Sequence, residues 1–291
     1  MLTRRSFIPG LFFLVESPYR LEIEKWRKDY ESRLKTDRGW LTVAGLFWLK
    51  EGENRFGADP SNDIVLPAGA APAQAGVFEF RRGKVTVTMK DPPGGAREMR
   101  ADTSGAPDPL TLGDLTMHVI QQGARYGIRL RDKNSRLRRE FRGLSWFAVR
   151  ESYRVKARFV AYAKPKEISI ANILGDVEPM PSPGYAVFSL NGEQHTLHPV
   201  TEGDKELFFI FRDQTSGKET YPACRFLYSE MPRNGSVILD FNKAENPPCA
   251  YTPYATCPLP PRQNHLSARI EAGEKNYHVD EKSEARSQKS E

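Results

Sequence analysis

The 291-residue sequence lacks several features that define common protein classes. No apolar run approaches the ~20 residues that a helix needs to span a bilayer, so no transmembrane span is expected. Three cysteines are too few for a scaffold of several disulfide bridges. The common serine-hydrolase elbow, phosphate-binding loop and zinc-helix motifs are also missing. These absences leave a globular protein without a recognisable catalytic motif, and neither a cofactor nor a metal site is predicted.

What the sequence contains from Trp40 onward is typical of β structure, because short apolar runs alternate with Gly, Pro, Asn and Asp. The predicted strands are Leu41–Leu49, Asp63–Leu66, Val77–Arg81, Lys84–Met89, Leu115–Gln121, Tyr126–Arg131, Tyr153–Tyr162, Glu167–Ala171, Tyr185–Leu190, Glu193–Pro199, Leu207–Arg212, Cys224–Tyr228, Val237–Phe241 and Leu266–Ile270. Regular turn signals with few helices favour a mostly β fold of two packed sandwich-like or barrel-like units.

One long amphipathic helix is predicted before these strands. Ser17 is a suitable N-cap, and Pro18 suits the first helical position. Apolar residues then recur at helical spacing from Leu21 to Leu34, and Gly39 supplies a stop signal. We expect this helix to cover a sheet.

The first 17 residues resemble a twin-arginine export signal. Arg4 and Arg5 precede a short apolar stretch from Phe7 to Val15. This pattern predicts a periplasmic or secreted protein. The alternative is an ordinary N-terminal tail on a cytoplasmic protein.

The segment Asp240–Leu266 holds six prolines together with several aromatic and aliphatic residues. Proline removes a backbone donor and fixes φ, so neither a helix nor a central strand is expected here. Apolar anchors such as Phe241, Tyr251 and Leu259 distinguish it from a flexible linker. The sequence therefore predicts a long ordered loop that packs over the scaffold, and such loops are often functional.

The loop sequence DFNKAENPPCAYTPYATCPLPPRQN, followed by AGEK at Ala272–Lys275, resembles the signature of the DUF1684 family of bacterial and archaeal proteins. Two upstream blocks, Phe141–Phe159 and Phe209–Tyr228, match further family blocks. The resemblance implies no particular activity, because the family is defined by unknown function. The chain differs from the family pattern at three positions. Cys224 replaces an expected glycine, Glu245 an expected tyrosine and His265 an expected arginine.

A second resemblance concerns Leu49–Pro67, whose glycine, asparagine and Ser-Asn-Asp spacing is similar to the opening strands of forkhead-associated domains. Ala58 stands where that family has its phosphate-reading arginine, and no Ser-x-x-His follows in Ala68–Ala75. A related scaffold is expected from this resemblance, without phosphopeptide binding.

The chain is predicted to divide into four parts. Residues 1–17 form the export signal, 18–174 the helix with a first β unit, and 175–278 a second β unit with the proline loop. The boundary follows from the proline-rich connector near Leu174–Gly184. Residues 279–291 lack apolar periodicity and are predicted to form a disordered tail.

Cys249 and Cys257 lie within the loop and have two interpretations. In an exported protein they are candidates for a disulfide. The alternative is a pair of buried thiols in a tight turn. Cys224 is left over and is expected to pack.

Basic residues are concentrated on two predicted strands. Between Arg125 and Arg158 the sequence holds twelve Lys or Arg and three Asp or Glu. Period-two alternation places the charges on one face of each strand, and the candidates are Arg129, Arg131, Arg154, Lys156 and Arg158. Such a face fits an anionic polymer, or it is a solvated surface paired with acids elsewhere. Nucleic acid is not expected, because no binding motif accompanies the charge.

Polar residues are expected to converge where two strands end below the loop. The ligand-binding candidates are Arg212, Asp213, Thr215, Tyr221, Arg225, Asp240, Asn242 and Asn246. They suit a pocket for a small or polymeric ligand. They also suit hydrogen-bonding supports for an irregular backbone.

Three functions follow from these patterns. The main prediction is a binding module whose ligand lies beside the loop. One alternative is a hydrolytic enzyme that uses Asp213 or Asp240 as acid/base, and Glu274 is a further candidate carboxylate. The other is a structural protein of the cell envelope.

Overall fold

The computed structural model describes residues 17–277 except 202 and 204. Residues 1–16 of the predicted export signal and the whole predicted tail (279–291) lie outside the described residues. The chain is mostly β, with 44% strand and 15% helix, which confirms the predicted fold class. Within the described residues, the strands form four sheets and no closed barrel.

The predicted helix is confirmed as α1 (Pro18–Leu34), whose N-cap Ser17 accepts a hydrogen bond from the backbone N–H of Arg20 at 3.2 Å. Its buried side chains are Ile23, Tyr30 and Leu34. Leu21 is 51% exposed, so the apolar face is narrower than the spacing indicates. Instead of lying only on a sheet, α1 packs against Tyr251 of the proline loop and Leu41. The helix therefore helps to hold the loop.

The described part of the N-terminal half contains nine strands and a second short helix. Their bounds are β1 (Val43–Trp48), β2 (Gly52–Gly57), β3 (Ile64–Val65), β4 (Gly76–Arg81), β5 (Lys84–Met89), β6 (Arg97–Met99), β7 (Leu110–Leu112), β8 (Leu115–Gln122), β9 (Arg125–Asp132) and α2 (Arg136–Glu140). One sheet has the order β3-β2-β4-β5-β6 and the other β1-β9-β8-β7. Their inner faces share one core, in which Phe56 and Phe78 pack with Met117, Ile128 and Leu130.

Six strands lie in the C-terminal half, counted over the residues that the structure describes. Their bounds are β10 (Arg154–Ala171), β11 (Val177–Leu190), β12 (Glu193–Leu197), β13 (Glu206–Phe211), β14 (Arg225–Glu230) and β15 (Ser236–Asp240). One sheet has the order β12-β11-β10-β15, and β13 pairs with β14 in a hairpin. Strand β13 is buried on both faces. Phe209 and Phe211 pack into the larger core of the C-terminal half, and Phe208 and Ile210 pack into a smaller core beneath the proline loop.

Several strand predictions need correction. The predicted strands Tyr153–Tyr162 and Glu167–Ala171 are one strand, β10, because a register irregularity between Ala161 and Lys166 accommodates Pro165 without ending the strand. Leu266–Ile270 is not a strand. Four elements were not predicted from the sequence: β2, β6, β7 and α2. All four are short, and β2 is bounded by glycines at both ends.

The division of the chain between residues 174 and 175 stays a prediction. That position lies in the turn between β10 and β11, which are neighbours in the same sheet. Among residues 17–277, leaving out 202 and 204, no helix is long and apolar enough to cross a membrane.

Candidate functional site

The Asp240–Leu266 segment is irregular and extensively buried. It contains three single 3-10 turns, at Phe241–Lys243, Pro248–Ala250 and Arg262–Asn264. The Asn264 side chain bridges two strands, donating to the carbonyls of His198 at 2.9 Å and Ile210 at 2.8 Å. Side-chain amides of this kind replace the ladder hydrogen bonds that proline-rich backbone cannot make. The expectation of an ordered, packed loop is confirmed.

Three of the eight predicted ligand-binding residues bond to one another inside the protein. Arg225 Nη1 lies 2.9 Å from Asp213 Oδ2, and the two side chains are only 1% and 0% exposed. Thr215 donates from its backbone N–H to Asp213 Oδ1 at 2.7 Å. Arg225 also donates to the carbonyls of Ile270 and Ala272. Asp213, Thr215 and Arg225 therefore support the backbone and do not face a cavity.

Asp240 and Asn242 fasten α1 to the start of the loop. The Tyr19 hydroxyl donates to Asp240 Oδ1 at 2.7 Å, and Asn242 Nδ2 donates to the Tyr19 hydroxyl and to the Arg150 carbonyl, each at 2.9 Å. Burial, followed by the bond to Asp240, raises the pKa of Tyr19. This tyrosine stays a neutral donor, and the three side chains together fix the position of the helix.

Arg212 and Tyr221 lie apart from both groups. Tyr221 is half-buried and its hydroxyl donates to the Cys249 carbonyl at 3.3 Å. Burial raises its pKa to about 12. Arg212 is half-buried beside the loop, where its backbone pairs with that of His265. The predicted cluster is thus divided among several supporting contacts and does not form one pocket.

A cavity of about 560 Å³ lies instead between the C-terminal end of α1, strands β9, β13 and β14, and the proline loop. Its lining residues are Tyr30, Arg33, Leu34, Thr36, Arg38, Gly39, Trp40, Arg129, Phe208, Phe226, Tyr228, Glu245, Asn246, Pro248, Tyr251, Thr256, Cys257 and Pro258. We call this space the loop cavity. Of the eight predicted ligand-binding residues, it contains only Asn246.

Glu274 anchors the inner wall of the loop cavity. Its carboxylate accepts hydrogen bonds from the backbone and side chain of Asn246 at 2.8 and 2.7 Å, and from the Tyr251 hydroxyl at 2.7 Å. The Tyr251 and Tyr30 hydroxyls are 3.1 Å apart. Burial raises the pKa of Glu274 to about 7, although these hydrogen bonds oppose the shift. The Glu274 side chain therefore changes charge near neutral pH.

Glu245 is the acidic residue that lines the loop cavity. Its backbone pairs with Phe226, and no hydrogen bond or ion pair to a described residue holds its carboxyl group. Burial raises its pKa to about 8, and the charge of Glu274 acts in the same direction while Arg33 opposes it. Sequence reasoning missed this residue as a site candidate, although its departure from the family tyrosine was a signal.

Arg129 was predicted as a contact for an anionic partner, and it lines the loop cavity. The guanidinium carbon lies 5.4 Å from the centre of the Trp40 ring, a cation–π contact. The side chain is buried, and its Nε has no hydrogen-bond partner. This is the buried cation of the cavity wall.

The other basic candidates lie elsewhere. Arg131, also on β9, donates to the Gly39 carbonyl at 2.7 Å. Arg154, Lys156 and Arg158 are exposed on β10, with the predicted alternation. Strands β9 and β10 belong to different sheets, and Arg129 is buried whereas the three β10 candidates are exposed.

A second cavity, of about 690 Å³, adjoins the first. The two share Arg33, Tyr228 and Glu245 as lining residues. Asp240 and Arg154 line the second cavity only. Together the two spaces form a cleft along the face of α1 and the β13–β14 hairpin.

The three cysteines are thiols in this structure. The Cys249 backbone N–H donates to Cys257 Sγ at 3.1 Å, so the two residues are adjacent. A hydrogen bond from the Cys257 thiol lowers the pKa of Cys249, and Arg129 acts in the same direction. Burial raises the pKa of Cys224. The Cys249–Cys257 disulfide stays a prediction. Among the described residues, no group of three or more His, Cys, Asp or Glu side chains is placed to hold a metal ion.

These observations define a mostly β protein with a cavity covered by a proline-rich loop. A family model described as "Protein of unknown function (DUF1684)" matches residues 139–275. The solution NMR structure of an uncharacterized protein of Haloarcula marismortui is 33% identical, with 47% of this chain and 78% of that chain covered and a TM-score of 0.40. The chain belongs to the DUF1684 family. No curated protein matches the sequence.

Proposed function

We propose that the protein is a binding module that holds a small organic ligand in the loop cavity. The observation that carries this proposal is the cavity of about 560 Å³, to which the family's motif loop contributes seven lining residues. That volume falls within the roughly 300–1,000 Å³ of small-molecule sites. The wall combines aromatic rings with a few polar groups, as ligand sites commonly do.

The second cavity extends the proposal to longer ligands. Arg33, Tyr228 and Glu245 border both spaces, so an elongated ligand can pass from one to the other. A polymer would need only its end group or a short segment in the loop cavity. The cleft therefore suits either a small molecule or the end of a chain.

The proposed location is the periplasm or the extracellular space. Support comes from the twin arginine Arg4–Arg5 and the apolar stretch that follows. Fractionation of cells that express the full chain tests this: the protein is expected outside the cytoplasm, and Arg4→Lys with Arg5→Lys is expected to retain it inside. Equal distribution of both forms contradicts export.

The structure gives little support to a hydrolytic enzyme that uses Asp213 or Asp240. Asp213 is occupied by Arg225 in a pair that is shielded from solvent, and Asp240 accepts from the Tyr19 hydroxyl. Asp240 does border the second cavity, but Asp213 borders neither. The two residues are therefore poor candidates for an acid–base pair. A purely structural role in the envelope gives no reason for a cavity under the motif loop.

A thermal-shift screen of the full chain against sugars, nucleotides, organic acids and amines tests the binding proposal. Thr256 lines the loop cavity, so Thr256→Trp is expected to fill it and to abolish any ligand-induced rise in melting temperature. The matched control is Thr88→Trp, at an exposed position of β5. If every ligand stabilises both variants equally, the loop cavity is not the binding site.

A further inference from the structure

Because side chains alternate along β9, Arg129 points away from the core between the two N-terminal sheets and into the loop cavity. Its neighbours on β9, Ile128 and Leu130, are 0% and 1% exposed and belong to the core between the two sheets. Successive side chains of a strand point to opposite faces. Arg129 therefore projects from the outer face of the sheet, where it is 8% exposed and lines the cavity.

Within the described residues, no acceptor satisfies this guanidinium. Nε is buried without a hydrogen-bond partner, and no ion pair involves the side chain. The buried Arg225 is held differently, because it pairs with Asp213 even though its own Nε also lacks a hydrogen-bond partner. The half-buried Arg131 donates to the Gly39 carbonyl. A buried charge is costly unless it is paired and hydrogen-bonded. Arg129 thus has the properties of a cation whose counter-ion is supplied from outside.

Asp102, which is exposed, is the acid that acts most strongly on Arg129, but it does not pair with it. The charged groups that line the cavity favour an anion. Arg33 and Arg38 line the same space and are exposed, while Glu245 is the acid among the lining residues. Glu245 has its pKa raised to about 8, so it is largely uncharged at neutral pH. His118, which lies opposite Arg129 on β8, has its pKa lowered to about 4 by burial and then by Arg131 and Arg129. The local potential is therefore positive.

Aromatic residues provide a place for the uncharged part of a ligand. Trp40 lies against both Arg129 and Arg131, with ring-centre distances of 5.4 and 5.7 Å. Phe208 and Phe226 line the same cavity. A flat or aliphatic body can pack on such rings while a charged end reaches the guanidinium.

We propose that the ligand of the loop cavity is a small organic oxyanion, a carboxylate or a phosphate ester with an aromatic or apolar body, and that Arg129 is its counter-ion. The inference rests on the proposed function and adds the ligand's chemical class. The planar guanidinium presents parallel N–H donors that match two oxygens of a carboxylate or phosphate. Arg33 and Arg38 attract the anion without being required for its final contacts.

Matched pairs of small probes test the inference by calorimetry and thermal shift on the full chain. Benzoate is compared with benzamide, phenylacetate with phenylacetamide, and phenyl phosphate with phenol. We expect each anion to bind at least roughly tenfold more tightly than its neutral partner. Arg129→Met is expected to remove that preference, and Arg129→Lys to retain part of it. The control Arg55→Met, at an exposed position of β2, is expected to behave as wild type.

The stability of the unliganded variants separates a ligand-binding arginine from a structural one. Because no described residue forms a hydrogen bond or an ion pair with the Arg129 guanidinium, Arg129→Met is expected to keep or raise the melting temperature without ligand. A lower melting temperature together with no stabilisation of wild type by any of the three anions overturns the inference. Equal binding of anions and neutral partners also overturns it, but leaves small-ligand binding in place. If no compound binds to wild type in a way that Thr256→Trp abolishes, the proposed function itself is contradicted.

Discussion

Asp213 and Arg225 form an ion pair that is shut off from solvent, with Nη1 and Oδ2 2.9 Å apart and side-chain exposures of 0% and 1%. Arg225 also donates hydrogen bonds to the carbonyls of Ile270 and Ala272, so the pair connects β14 to the segment that follows the proline loop. Burying two charges is costly, and these extra hydrogen bonds offset part of that cost. The pair determines where the loop re-enters the core.

Breaking this pair from one side is expected to destabilise the protein strongly. Asp213→Asn leaves Arg225 buried without its counter-ion, and losses of about 3–5 kcal/mol are typical of such changes. Chemical denaturation measures the effect. The matched control is Glu230→Gln in the Arg233–Glu230 pair, whose side chains are 82% and 80% exposed and which should matter little. Equal small effects of the two substitutions would show that the buried pair is not structural.

Ionisation of Glu245 and Glu274 is expected to lower the stability of the protein as pH rises from about 6.5 to about 8, whereas below about pH 6.5 His118, whose pKa is lowered to about 4, acts against this fall. The pKa values of Glu245 and Glu274 are raised to about 8 and about 7 from an ordinary value of 4.5. The folded state therefore binds protons more tightly than the unfolded state, and the stabilisation present below pH 4.5 is lost as pH rises through the folded-state pKa values. Each unit of difference corresponds to about 1.4 kcal/mol. Thermal unfolding across this range measures the slope.

Glu245→Gln isolates one of the two groups. The amide cannot ionise, so the variant should resemble wild type at pH 4.5 and be more stable at pH 8. Glu245 suits this test because no described residue hydrogen-bonds its carboxyl group, whereas Glu274 accepts from Asn246 and Tyr251. Glu53→Gln, at an exposed position of β2, serves as the control. An unchanged pH slope in Glu245→Gln would contradict the raised pKa.

Features encoded locally were predictable from the sequence. The N-cap Ser17, the helical spacing after it and the alternation of Lys84–Met89 gave α1 and β5 close to their observed bounds. Prolines identified the loop. Strand β2 was missed because its GENRFG sequence has little apolar pattern.

The site was not predictable in the same way, because it is assembled by tertiary packing. Trp40, Arg129 and Glu245 are far apart in the chain and meet only where α1, β9 and the loop converge. Asp213 and Thr215 are close in sequence and looked like a site, but residues this close can satisfy one another. Polar residues that cluster in the sequence proved to support the backbone. The functional candidates are instead charged side chains without a hydrogen-bond partner among the described residues.

Gly39 is required by the close approach of the chain after α1. A Cβ atom added there would lie 2.0 Å from the Leu34 carbonyl oxygen, which is backbone and cannot easily move. Gly39→Ala is expected to destabilise the protein by about 1–3 kcal/mol, as overpacking usually does, and to distort the cavity wall that Gly39 lines. Gly94→Ala, where a Cβ meets nothing within 4 Å, is the control. Similar melting temperatures for the two variants would contradict this account.

Asp240→Ala is expected to loosen α1 without removing a ligand contact in the loop cavity. The substitution deletes the acceptor of the Tyr19 hydroxyl and a capping contact to the Asn242 N–H. Loss of buried hydrogen bonds of this kind costs about 1–3 kcal/mol. Hydrogen exchange should rise along Pro18–Leu34 and stay unchanged in β4 and β5. Uniform exchange throughout the protein would instead indicate global unfolding.

The redox state of Cys249 and Cys257 is expected to depend on the compartment in which the protein folds. Their adjacency, with the Cys249 N–H 3.1 Å from Cys257 Sγ, allows a disulfide in an oxidising environment, whereas a reducing cytosol keeps both as thiols. Alkylation under denaturing conditions followed by mass spectrometry should label one cysteine, Cys224, in exported protein and all three in cytosolic protein. Cys249→Ser should then leave two labelled cysteines in both preparations. Three labelled cysteines in exported wild type would rule out the bridge, and the thiol of Cys257 would remain a free lining group of the loop cavity.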